Sequence, residues 1–319
     1  MVSRASRFVL VAHAALLFVA AGAWALQGGA QGWESASRGP VTVLFREADR
    51  AAAGRLLELA APSLERMWTE LDSRERGAVR IVIAASEEEF AGLEGGWPPD
   101  WGVAWADAGR SLVVMKSPRI VSYPLQIEKV VVHELAHVVV GRELQHMSVP
   151  RWFDEGIAMA LAGEWDGDRR ALAAAAVAGR LIPLSSLDAG FPESDRDARL
   201  AYAMSYEAVQ YLLRESGLAG GPQLVRAVAS APDFETALLR VAGRAPGQFD
   251  VEVGGHVRRT FGWTVLLQSV SAAMLLGAVA LVLGAVRRAR RARARLRELA
   301  AEEAERAPRG RSRTGSSWA

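Results

Sequence analysis

The stretch from Val130 to Val140 constrains the fold of this chain more than any other. It carries His133 and His137, four residues apart, with Glu134 directly after the first histidine. In an α-helix, residues at this spacing lie on one face with their Cβ atoms about 5–6 Å apart, so both imidazoles can reach one ion. In a β-strand they would stand about 13 Å apart. A shared metal site therefore requires a helix, although the surrounding valines favour strands.

The pattern His-Glu-x-x-His indicates a zinc site. The chain has no cysteine, so histidine and carboxylate side chains are the strong zinc ligands that remain. Glu134 would then take the proton of the water that the zinc activates. The alternative is that His133 and His137 belong to an ordinary buried helix, since the residues around them are apolar on all sides.

A catalytic zinc site needs a third protein ligand and one open position for water. The metzincin pattern requires a glycine three residues after His137 and a histidine six residues after it, but Val140 and Glu143 stand there. His146 is one candidate, in the loop that follows the predicted helix. Glu155 is the stronger candidate. Alone, a glutamate beside a glycine would be interpreted as a surface residue, but its pairing with the upstream motif favours a ligand.

Pro150 is typical of a helix start, and apolar residues at helical spacing follow it. Gly156 and Ala158 are small, which predicts a close approach of this second helix to the first one. The same helix contains Glu155, so the proposed ligand would be brought towards the two histidines.

The two zinc blocks together resemble a known family. The first block, His133–His137, is followed by Trp-Phe-Asp-Glu-Gly-Ile-Ala at 152–158, which is similar to the gluzincin metallopeptidases, specifically the small peptidase MA-like proteins. Asp154 stands where the zinc aminopeptidases usually have Asn. Their Gly-x-Met-Glu-Asn block, which grips a free N-terminus, is absent. The resemblance covers Val79 to Phe261 and implies an endopeptidase.

The resemblance implies an α+β fold of the gluzincin type. A small sheet and the active-site helix would form a first lobe, residues 41–146, and helices would form a second, residues 147–262. One catalytic Zn²⁺ would lie between them, bound by His133, His137 and Glu155. An exposed sheet edge beside the zinc would bind a peptide or protein substrate as an extra strand.

The resemblance also implies a tyrosine on a later helix, predicted at 198–216. Tyr202 would donate a hydrogen bond to the developing oxyanion, with Glu134 as the general base. Tyr206 lies on the same predicted face and is the alternative donor. A purely structural role for Tyr202 fits the sequence equally well.

Hydrophobic patterns predict the other elements before and after the zinc helix. Strands are predicted at 41–45 and 79–84, and a hairpin-like pair of strands at 103–106 and 111–115. Helices are predicted at 49–71, 152–163 and 169–179.

Residues 1–26 have the pattern of a signal peptide or an uncleaved signal anchor. Arg4 and Arg7 precede an apolar run that ends at Leu26. Residues 27–40 are rich in Gly and Ser, which predicts a linker. These features indicate that residues 41–262 form an extracytoplasmic domain.

The run Trp263–Val286 contains no charged residue and predicts a transmembrane helix. Arginines follow at once from Arg287, and the positive-inside rule places the tail, residues 287–319, in the cytoplasm. Beside a membrane, such arginines favour anionic lipid headgroups over nucleic acid. The predicted location is therefore the cell membrane, single-pass or, with an uncleaved first segment, two-pass.

Two other classes of function fit the sequence. One is a catalytically inactive, membrane-tethered binding or scaffold protein that keeps the gluzincin fold. The other is a purely structural zinc site. The presence of Glu134 argues against the second, because a structural site closes its fourth position and needs no base.

Overall fold

A computed structural model describes residues 32–93, 102–123, 127–163, 168–188, 190–192 and 194–306, without the side chains of 264–273 and 303–306. The predicted signal segment, residues 1–26, lies outside the described residues. The chain up to Phe261 forms one compact unit, and the chain from Gly262 forms another. Both predicted lobes therefore contribute to the first unit.

The first unit has a mixed sheet of five strands in the order β1-β2-β3-β5-β4. The strands are β1 (Trp33–Arg38), β2 (Val41–Arg46), β3 (Val79–Ala84), β4 (Ala104–Asp107) and β5 (Leu112–Lys116). The three central strands are parallel, and β1 and β4 pair antiparallel at the two edges. The predicted hairpin-like pair is confirmed as β4 and β5.

The strand β1 corrects the part of the predicted linker, residues 27–40, that the structure describes, while residues 27–31 lie outside the described residues. Arg38 pairs with Val41 across the turn at Gly39 and Pro40, and Gly39 has a φ of 53°, which glycine adopts without strain. The guanidinium of Arg46 also lies over the ring of Trp33, with its central carbon 4.2 Å from the ring centre. The glycine that indicated a linker instead makes the tight turn of a hairpin.

Helices cover the two faces of this sheet unequally. The helices are α1 (Arg50–Leu71), α2 (Glu87–Gly92), α3 (Ile127–Glu143), α4 (Arg151–Ala162), α5 (Arg169–Val177), α6 (Asp195–Ser216), α7 (Gly221–Ala229), α8 (Phe234–Ala242) and α9 (Pro246–Arg306). On one face, α1 and α3 pack against the strands and against each other. On the other, Phe90 of α2 packs on Val82, Ala84 and Val114. The fold is α+β, with a small sheet followed by helices.

The motif stretch is a helix, α3, as the shared-metal argument requires. Its valines are buried against the sheet and α1, and this tertiary burial outweighs their preference for strands. A Cβ at Gly141 would lie 2.6 Å from the Cβ of Ala108, so glycine allows α3 to meet the turn after β4 closely.

The helix α4 packs between α3 and α6. A Cβ at Gly156 would lie 2.4 Å from the carbonyl oxygen of Ser205 in α6. The prediction that Gly156 brings α4 onto α3 was therefore wrong, because this glycine serves the contact with α6. Consecutive helical residues point about 100° apart, so Glu155 faces α3 while Gly156 faces α6.

The predicted transmembrane segment, Trp263–Val286, falls within α9. Across the part of the chain that the structure describes, no helix combines the length and the apolar character needed to cross a membrane. The side chains of 264–273 lie outside that part. The membrane helix remains a prediction.

Candidate metal centre

Three side chains from α3 and α4 converge on one point. The Nε2 atoms of His133 and His137 lie 3.0 Å apart, and Glu155 Oε2 lies 3.4 Å from each of them. A tetrahedral zinc site with bonds of about 2.0–2.1 Å holds its ligand atoms about 3.3 Å from one another. The three atoms therefore fit a single zinc ion, and they form a group of potential metal ligands.

His146, the alternative third ligand, lies elsewhere. Its Nε2 atom is 3.2 Å from the carbonyl oxygen of Ala231, at the end of α7. α3 ends at Glu143, so the chain has already left the helix when it reaches His146. The structure brings Glu155, and not His146, to the two histidines.

Charge couples the members of this cluster. Burial alone would raise the pKa of Glu155, but the imidazoles of His137 and His133 hold it well below its usual value. Burial alone would lower the pKa of His137, but the carboxylates of Asp154 and Glu155 raise it well above its usual value. The Glu155 carboxylate is only 3 % exposed and is ionised, which suits a cation at this point.

Asp154 contacts the far side of one imidazole. Its Oδ2 atom lies 3.2 Å from His137 Nδ1. With a metal ion in place of the proton on Nε2, an Nδ1–H that donates to this carboxylate would keep Nε2 directed at the ion, an arrangement common at metal-binding histidines. The sequence showed Asp154 only as a departure from the Asn of the aminopeptidases. In the sequence, the only sign that Asp154 has a role at the site was its position directly before the proposed ligand Glu155.

Glu134 is buried on α3, 8 % exposed, one residue after the first histidine. Burial raises the pKa of the phenols of Tyr123 and Tyr202, and the charge of Glu134 raises both further. The hydroxyl of Tyr123 donates to the carbonyl of Lys116. The carboxylate of Glu134 is therefore within electrostatic range of two phenols.

Tyr202 lies beside the cluster and Tyr206 does not. Burial and the charge of Glu155 raise the pKa of Tyr202 well above its usual value, while Arg151 opposes this shift. Burial and Glu207 raise the pKa of Tyr206, and its other charged neighbours are arginines. Tyr202 is thus the tyrosine of α6 that interacts with the carboxylates of the site.

The edge strand β4 lies next to the helix that carries the histidines. Its Ala104 and Ala106 pair with Met115 and Val113 of β5, whose buried side chains face α3. Side chains alternate across a strand, so β4 presents small residues towards α3. The opposite edge of β4 has no strand beside it among the described residues.

Comparison with known proteins supports the resemblance seen in the sequence. A search of curated proteins found no match. Among solved structures, leukotriene A4 hydrolase from Saccharomyces cerevisiae aligns at a TM-score of 0.37 with 14% identity, over 62% of this chain and 33% of that one. The chain thus spans about a third of that enzyme's length. A family profile for the peptidase MA superfamily matches residues 64–255, more than half of the chain. The chain belongs to the peptidase MA superfamily.

Proposed function

We propose that this protein is a membrane-anchored, zinc-dependent endopeptidase. The observation that carries the proposal is the convergence of His133 Nε2, His137 Nε2 and Glu155 Oε2 at the spacing of a tetrahedral site. The buried Glu134 stands one residue from the first of these ligands. Two imidazoles, one carboxylate and a neighbouring second carboxylate are the groups that hydrolysis by a metal-activated water requires.

Zn²⁺ held by these three residues would supply a Lewis acid that polarises a carbonyl and lowers the pKa of water to about 7. Glu134 accepts the proton of the attacking water and passes it to the nitrogen of the leaving amine. Asp154 keeps the imidazole of His137 in the orientation and tautomer that the site needs.

Tyr202 would stabilise the negative charge that develops on the carbonyl oxygen. Its pKa lies well above the usual value for tyrosine, because of burial and the nearby Glu155 charge. The phenol therefore stays protonated at neutral pH and can donate a hydrogen bond to an oxyanion. Removing one such donor typically lowers kcat by about 10²–10³-fold.

The substrate would be a peptide or protein bound in extended form along β4. The outer edge of that strand can pair with an added strand, which places the backbone of the substrate parallel to the sheet and beside α3. The strand β4 contributes only the small side chains of Ala104 and Ala106 to the face that packs towards the helix.

The membrane anchor would be the uncharged run Trp263–Val286, with the arginines from Arg287 at the anionic lipid surface. The domain before it, residues 41–262, would face the extracytoplasmic space, and residues 287–319 would lie in the cytoplasm. The support for this arrangement is the order of charge in the sequence, with arginines directly after the apolar run.

The experiment that tests the proposal combines zinc analysis with hydrolysis of an unfolded protein substrate by the full-length chain. We expect one zinc per wild-type chain. Glu134→Gln should keep the zinc and lower kcat by about 10²–10⁴-fold, because it removes the general base. Glu155→Ala should lose the zinc, because two histidines alone do not complete the site.

Glu128→Gln is the matched control, since Glu128 lies on the same helix as Glu134 but pairs with Arg55 at 3.7 Å. It should leave zinc content and hydrolysis unchanged. Full activity in Glu134→Gln would reject Glu134 as the base. Zinc without any cleavage by the wild type would favour the alternative, a scaffold or binding protein that keeps the fold.

A further inference from the structure

Arg151 contacts one oxygen of the proposed ligand Glu155, and the other oxygen faces the two histidines. Its Nη2 atom lies 2.9 Å from Glu155 Oε1, while Oε2 of the same carboxylate lies 3.4 Å from the Nε2 atoms of His133 and His137. Arg151 is the first residue of α4 and precedes Glu155 by one helical turn. One oxygen therefore faces the cluster and the other faces a guanidinium.

The guanidinium also lies over an aromatic ring. The ring of Phe191 is under Arg151, whose guanidinium carbon is 5.6 Å from the ring centre, and the same ring packs edge-on against Tyr202 with 4.8 Å between the ring centres. Arg151 is thus held by an aromatic ring on one side and by the carboxylate of Glu155 on another.

We propose that Arg151 is a positioning residue that restricts Glu155 to metal binding through Oε2 alone. A free carboxylate can bind a metal through one or both oxygens. A guanidinium bound to Oε1 leaves one oxygen for the ion, and the position that the second would occupy stays open for water. This inference rests on the proposed role of Glu155 as a ligand.

An ordinary surface ion pair is the simpler explanation of the contact, and the chain contains one for comparison. Arg199 and Asp195 form a pair at the same helical spacing, 2.7 Å apart, with the Asp195 side chain 66% exposed. The Glu155 side chain is 4% exposed and the Arg151 side chain 48%. Water weakens an exposed ion pair by solvating its charges. A buried carboxylate is largely shielded from that competition.

The test measures zinc affinity and cobalt spectra in the full-length wild type, Arg151→Met, Arg151→Lys and Arg199→Met. Competition with a chelator gives the zinc dissociation constant, and the visible spectrum of the Co²⁺-substituted protein reports the coordination number. Arg151→Met should weaken zinc binding about 10–100-fold, the usual effect of losing a group that orients a ligand. Its cobalt absorption should also weaken, as expected when a second carboxylate oxygen binds.

Arg151→Lys keeps the charge but not the planar fork, so its affinity should fall between wild type and Arg151→Met. Arg199→Met should match the wild type in both measurements. Wild-type affinity and spectrum in a folded Arg151→Met would overturn the inference. If Arg151→Met does not fold, a wild-type spectrum in Arg151→Lys overturns it instead. A wild-type chain without zinc would reject the metal site itself, whereas zinc unaffected by these changes rejects only the role of Arg151.

Discussion

The helices α3 and α4 meet at the metal centre, but they carry their polar groups in different places. In α3, His133, Glu134 and His137 stand in the middle of the helix, between the buried valine runs 130–132 and 138–140. In α4, the charged residues are confined to the first five positions, and the residues after Glu155 are apolar. Buried apolar neighbours on both sides flank the groups of α3, whereas ion pairs connect those of α4.

The proposed ligand Glu155 of α4 is buried, 4% exposed, but the residues that contact the ligands from α4 are not. The side chains of His133 and His137 are 13% and 16% exposed, but those of Asp154 and Arg151 are 37% and 48% exposed. The site thus joins two histidines from the buried middle of one helix with a buried carboxylate that partly exposed side chains of the other helix hold. Substitutions at different positions of the two helices should therefore differ in whether they lower the free energy of unfolding or weaken zinc binding.

The glycines of the two helices give the largest expected effects on stability. Gly156→Ala would place a Cβ 2.4 Å from the backbone oxygen of Ser205, and Gly141→Ala would place one 2.6 Å from the Cβ of Ala108. We expect losses in the free energy of unfolding of about 3 kcal/mol for Gly156→Ala and about 2 kcal/mol for Gly141→Ala, as in other overpacked interiors. Urea denaturation followed by circular dichroism measures both.

The two clashes differ in whether a second change can relieve them. Ala108→Gly removes the methyl group that Gly141→Ala would meet, so the double variant should recover most of the lost stability. No side-chain change removes the carbonyl of Ser205. Gly54→Ala is the control, because an added Cβ there has no neighbour within 4 Å and should stabilise the helix. Equal losses in Gly54→Ala and Gly156→Ala would contradict the packing argument.

The sequence predicted the half of the site that depends on local spacing. The positions of His133 and His137 have meaning only on a helix, so motif and helix could be inferred together. Glu155 was reached through its neighbours in sequence and the family resemblance. The contact of Gly156 with α6 could not be inferred, because nothing in the α4 sequence indicates which neighbouring helix a small residue meets.

The strand β1 and the role of Asp154 were missed for a similar reason. The residues of β1 are polar and part-exposed, and the strand forms because β2 offers it a free edge. Asp154 acquires its role from an imidazole one helix away. In both cases the deciding partner is distant in sequence, and composition alone indicates only an exposed segment.

Asp154→Asn tests the charged contacts of α4 with an intermediate effect. The amide can still accept from His137 Nδ1, but the charge that supports the imidazole is lost. We expect about tenfold weaker zinc binding, the lower end for such groups, with little change in the free energy of unfolding. Chelator competition measures the first quantity. Unchanged affinity would mean that the hydrogen bond alone suffices.

Arg142→Met should give the smallest effect and complete the comparison between the helices. Arg142 lies in the last turn of α3 and donates to the carbonyl oxygens of Gly77 at 3.0 Å and Ala78 at 3.3 Å. Its loss should lower the free energy of unfolding by about 1 kcal/mol and leave zinc affinity unchanged. A weaker zinc affinity in this variant would show that the end of α3 also governs the metal site.

All three proposed ligands come from one short part of the chain, two consecutive helices and the connection between them. Because short segments close at a small entropic cost, bringing His133, His137 and Glu155 to one ion costs little even in the unfolded chain. A ligand that also binds the unfolded state stabilises the native state by less than its affinity for the native site implies. We therefore expect that removing zinc abolishes the hydrolytic activity but lowers the free energy of unfolding only modestly, so the zinc-free chain stays folded.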